Sequence, residues 1–256
     1  MNMAFRAIGF ALASLMTVLA IGFFFEQAWV LSIWPWPIKG LSYAFVSSIF
    51  AAIAAPIFWI CFTNEPAAIC GGAINLLVTF TGFSAYSFNN TQMSGVQAFG
   101  IGSALVAIAC LVQIALTYRI PFKDDRPMPV LVRSSFLLFA AILTYVGGMM
   151  VTHRANMFPW PLKPEHQVLY GWIFLGAACY FVYGFARPVW GNLRGQLWGF
   201  LAYDLVLIVP YIKHFATVPN DLRTNLIVYV SVLVYSGLLA VYALFVSRPS
   251  RPLTPT

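Results

Sequence analysis

The chain has 256 residues, of which 61% are hydrophobic and only 8% charged, with a formal net charge of +7 and a mean hydropathy of +0.83. Soluble domains are roughly a quarter charged, so this composition excludes a water-soluble globular fold and indicates an all-α, polytopic membrane protein. The positive charge reads as membrane topology and attraction to anionic headgroups, and nothing in it resembles a nucleic-acid surface.

A helix needs roughly 20 apolar residues to cross the hydrocarbon core. Eight such runs are separated by Pro, Gly, Asn and charge, over about 4–25, 41–62, 69–87, 98–117, 130–152, 168–186, 196–212 and 225–247. The first begins like a signal peptide, with Arg6 ahead of an apolar core. Its length and the absence of a small-residue cleavage site in FFFEQAW mark it as a membrane helix.

WPWPIK, with Trp34, Trp36 and Lys39, separates the first two runs. Trp suits the membrane interface because its ring is amphipathic, and each Pro removes a donor and fixes φ. The segment is expected to lie at headgroup level as an interfacial anchor, Lys39 snorkelling to phosphate, with an aromatic substrate mouth or re-entrant gate as the alternative. FPWPLK, with Phe158, Trp160 and Lys163, repeats the arrangement before the sixth run.

Cys61, Cys70, Cys110 and Cys179 lie within or beside the runs without CxxC or Cys/His spacing, so no disulfide framework is expected. Asn89, Asn90 and Thr91 spell a short glycosylation sequon. Orientation follows from basic residues, which resist translocation. Arg6, Arg119, Lys123, Arg126, Arg133, Arg187, Arg194, Arg248 and Arg251 fall on one side, against Lys39, Arg154, Lys163, Lys213 and Arg223 on the other. That imbalance places both termini in the cytoplasm of a bacterial-type inner (plasma) membrane.

Asp204 stands in the middle of GFLAYDLVLIVP, whereas the other acidic residues sit in loops or at helix ends. An ionised carboxylate at that depth costs at least about 2.5 kcal/mol, so it is expected to face the protein interior and find a donor or a proton. Asn75, Tyr203 and Tyr145 are the candidate partners for an intramembrane polar site, with Gln113 and Tyr183 also in reach. Such a site would bind a proton or cation, or simply tie two helices together. His153, His166 and His214 map to one side, but a metal or haem site would have to be assembled from three separate segments, against the reading of solvated or interfacial histidines.

A shift of 124 residues superposes the two WP segments, and the same register carries Ile49, Phe50 and Ala54 onto Ile173, Phe174 and Ala178. A shift of 127 aligns Arg6, Ala13 and Thr17 with Arg133, Ala140 and Thr144. The chain therefore reads as two tandem four-helix repeats, 1–124 and 125–256, the second with a short cytoplasmic tail. Each holds an even number of spans, so the two run parallel, related by an axis along the membrane normal.

Two functional classes follow. One is a small-molecule transporter or channel-like binding protein with its site at the repeat interface. The other is an accessory or structural subunit of a larger membrane complex, holding lipid, quinone or pigment on an aromatic surface. The expected surroundings are the bilayer, with a membrane-protein partner or a second copy, and no motif specifies a cofactor. Enzymatic chemistry is not indicated, because no Ser/His/Asp order, HExxH or paired carboxylate lies within the runs.

Overall fold

The computed structural model describes residues 3–90, 95–154 and 156–247. Among them are nine α-helices: α1 (Met3–Phe24), α2 (Ala28–Leu31), α3 (Leu41–Thr63), α4 (Ile69–Asn89), α5 (Val96–Thr117), α6 (Val130–Val151), α7 (Pro164–Ala186), α8 (Trp190–His214) and α9 (Arg223–Val241). All but α2 are, with their flanking turns, long and apolar enough to cross a membrane, eight in total, which fits an integral membrane protein. Thr91 of the sequon, with Arg248 and Arg251 of the charge pattern, lies outside the described residues.

The helices coincide with the eight apolar runs except at two starts. Helix α8 begins at Trp190 and not near 196, because Asn192 and Gln196 are buried and bonded. The Asn192 amide donates to the Arg187 carbonyl at 3.0 Å and the Gln196 amide to the Tyr180 carbonyl at 3.1 Å. Polar residues that find partners inside the bundle do not end a helix, as they would facing lipid. Similarly, α7 starts at Pro164, whose missing N–H costs nothing at the first helical position.

Consecutive spans pair as α1 with α3, α4 with α5, α6 with α7 and α8 with α9. Across the chain's midpoint α3 packs on α8, and α4 packs on α7. The consecutive helices α3 and α4 scarcely touch, and neither do α7 and α8. Four helices, α3, α4, α7 and α8, thus form the centre, each drawing its main central contact from the other half of the sequence.

Lipid tails are as apolar as leucine, so helix association in the bilayer depends on close packing and interhelical hydrogen bonds. Glycine provides the approach where it matters most. A Cβ on Gly176 of α7 would lie 2.5 Å from the Asn75 carbonyl of α4, so only a glycine permits this crossing. A Cβ on Gly199 of α8 would meet the Ala52 carbonyl of α3 at 3.1 Å. Ala52 lies one turn before Pro56, which sits inside α3 and supplies no N–H to that carbonyl.

In the WP segments Trp36, Phe158 and Trp160 are buried in protein and Trp34 is half-buried, while Lys39 and Lys163 are exposed. The Trp160 indole donates to the Ser42 hydroxyl of α3 at 3.0 Å. Phe158 packs edge-on against Phe45 of α3 with centroids 4.9 Å apart. The rings turn inward because a closed aromatic core, with a partner for the Trp160 N–H, satisfies both the apolar body and the polar edge of the indole. The second segment therefore staples the start of α7 to the first half, while Trp36 packs on Tyr86 and Phe99 of its own half.

At the other end of the bundle, the linker between α5 and α6 folds over the turn preceding α8. Both carboxylate oxygens of buried Glu65 accept the Lys123 backbone N–H, at 3.1 and 3.3 Å. The N–H groups of Trp190 and Gly191 donate to the Arg126 and Asp124 carbonyls, each at 2.8 Å. Asp124 pairs with Arg126, whose guanidinium holds the Asp124 carboxyl below its ordinary range, while burial pushes the Glu65 carboxyl up.

Candidate functional site

A cavity of about 440 Å³ opens along the seam between the two central helix pairs, within the range of small-molecule pockets. It exists because α3 and α4, and likewise α7 and α8, do not close on each other. Its walls are mainly aromatic and aliphatic, with Phe50, Phe80, Phe174, Phe181 and Phe200 among the lining rings. The polar groups are few and come from three of the central helices and from α9.

Asp204 lies on this wall and is 6% exposed. Its Oδ2 accepts from the Ser236 hydroxyl of α9 at 2.8 Å, and its Oδ1 is buried without a hydrogen-bond partner. Gly237, one residue on, faces the Asp204 side chain. Asp204 is the one carboxylate among the described residues lining the cavity, and no Lys, Arg or His lines it.

Of the residues expected beside Asp204, the structure brings Asn75 and Tyr203 to the same cavity. Asn75 accepts from Thr79 on α4 at 3.4 Å, and the Tyr203 hydroxyl pairs with that of Tyr229. Tyr145 does not join them: it is 61% exposed on the outside of α6. It directly precedes Val146, which lines the cavity, and one residue turns a helix by about 100°. Gln113 is likewise exposed on α5, and Tyr183 packs against Gly71 of α4.

Ser236, Tyr229, Asn225 and Gln196 also line the cavity and were not anticipated from sequence. A signal for three of them exists, because positions 225, 229 and 236 recur on one face of α9 at helical spacing. Nothing in the sequence reveals that this stripe meets Asp204.

The WP-segment residues stand at one end of the bundle and close the core there; Trp34 alone of them lines the cavity. The three histidines do not converge. His166 is buried beside Tyr170, His214 reaches the Pro159 carbonyl at 3.0 Å, and His153 is an exposed turn residue with φ of 53°. Among the described residues no three His, Cys, Asp or Glu side chains come together as a metal-ligand set, and all four cysteines are free.

No protein-family model matches the chain, and comparison with curated proteins and with solved structures returns no match.

Proposed function

We propose that this protein is a membrane carrier or channel-like binding protein for a small molecule, with its site in the cavity at the seam. The observation that carries the reading is a pocket-sized apolar cavity with one buried carboxylate on its wall, half of whose acceptor capacity is unused. A structural carboxylate that merely ties two helices together would be expected to bond with both oxygens, and it would not need a cavity in front of it.

In this reading residues 1–124 and 125–256 are tandem parallel repeats, and the cavity is their interface. One feature supports the duplication beyond the shared WP motif. The contact of α3 with α8 becomes that of α7 with α4 when the halves are exchanged. Sites between parallel repeats are a recurrent design of membrane carriers. The basic residues favour cytoplasmic termini in a bacterial-type inner membrane, which puts the WP segments on the outer face.

The experiment is native mass spectrometry of protein purified in mild detergent, comparing wild type with Ala177→Trp, which fills the cavity. The expected result is a bound small-molecule mass that the substitution removes while the protein stays folded and monodisperse. A wild-type protein without such a mass but with a stoichiometric partner chain would overturn the carrier reading in favour of an accessory subunit.

A further inference from the structure

We infer that the molecule taken into the seam cavity is a lipophilic cation, recognised by Asp204. This inference rests on the carrier reading and adds the chemical class of its substrate. Three observations point the same way. The wall carries one carboxylate and, among the described residues, no basic side chain to neutralise it. The Asp204 Oδ1 is buried and unpartnered, so an acceptor for a charge or a donor is already in place within a low-dielectric wall. The remaining surface is dominated by aromatic rings and aliphatic side chains, which suit an apolar body, and ring faces attract a cation.

The polar remainder of the wall agrees with that assignment. The Ser236 hydroxyl lies 2.8 Å from Oδ2, with the Val232 and Leu233 carbonyls of its own helix at 2.9 and 3.1 Å, and so holds the carboxylate from the side of α9. Tyr203 and Tyr229 bond to each other, so neither is held by Asp204. An anionic ligand would meet acceptors and no cationic partner. A neutral lipophile would gain nothing from burying a half-satisfied carboxylate beside it.

The test is equilibrium binding to the purified full chain in mild detergent with three probes. Tetraphenylphosphonium and tetraphenylborate share shape and differ in charge, and N-phenyl-1-naphthylamine is an uncharged lipophile. Wild type should bind tetraphenylphosphonium saturably and more tightly than tetraphenylborate. Asp204→Asn should weaken that binding about 30-fold or more, as removal of one partner of a buried charge pair does. Its affinity for the naphthylamine should fall far less than that for the phosphonium, and the retained binding shows that the variant is folded. If the naphthylamine binds but the phosphonium shows no preference over the borate, or no loss in Asp204→Asn, the cation assignment fails and the cavity reading stands. If none of the three binds saturably to wild type, both fail.

Discussion

The bond between Trp160 and Ser42 joins the segment before α7 to the first turn of α3, 118 residues apart, and its energetic weight follows from the geometry. Ser42 is 4% exposed and Trp160 is 7% exposed, so neither group has water as a replacement partner. Ser42→Ala leaves a buried indole N–H without an acceptor, at a cost of about 1–3 kcal/mol. Trp160→Phe removes the donor and part of the ring volume, costing about 2 kcal/mol or more through the space left beside Phe158 and Tyr211. In the double variant the N–H and the hydroxyl are both gone, so the losses should fall short of additive by about 1 kcal/mol. The assay is equilibrium unfolding of the purified protein by SDS titration in mild detergent, followed by far-ultraviolet circular dichroism. A coupling below about 0.3 kcal/mol would refute the argument, because it would mean that the two groups act independently.

Gly176→Ala should lower stability by about 1–3 kcal/mol, since its Cβ would collide with the Asn75 main chain, whereas Gly72→Ala meets nothing within 4 Å and should be neutral or stabilising by up to about 1 kcal/mol; thermal unfolding of both variants checks this. Asp124 and Glu65 should give opposite pH dependences. The folded-state pKa of Asp124 lies below its ordinary 3.8, so its stabilisation is complete above that value and is lost as pH falls through the depressed one; Asp124→Asn should match wild type only in strong acid. The folded-state pKa of Glu65 lies above its ordinary 4.5, so its neutral form is favoured, and Glu65→Gln should gain on wild type as pH rises through the raised value; melting temperatures across the acid to neutral range read both. With membrane-impermeant thiol labelling, Lys39→Cys should react from outside intact cells and Arg119→Cys only after lysis, and the reverse would invert the proposed topology.

The membrane class and the eight spans were legible in the sequence because both are one-dimensional properties. The length of an apolar run is compared with the thickness of a bilayer, and no knowledge of neighbours is needed. Asp204 was legible for the same reason, as a charge where lipid cannot solvate one. The fate of residues that depend on a facing helix was not. Composition alone did not show that Trp36, Phe158 and Trp160 are buried against Phe99, Phe45 and Ser42. Tyr145 and Tyr203 are both mid-span tyrosines, and only the rotation of α6 and α8 about their axes sends one outward and the other to the cavity.

WPWPIK and FPWPLK by themselves determined only that one short motif occurs twice, 124 residues apart. They could not determine that α3 would leave α4 to pack on α8, or that Asp204 would stand on the wall of the gap so formed with its buried Oδ1 unpartnered. Those outcomes were decided by small residues such as Gly176 and Gly199, which set how closely particular helices approach. Inside a bilayer that closeness, and not hydrophobicity, selects which helix sits beside which.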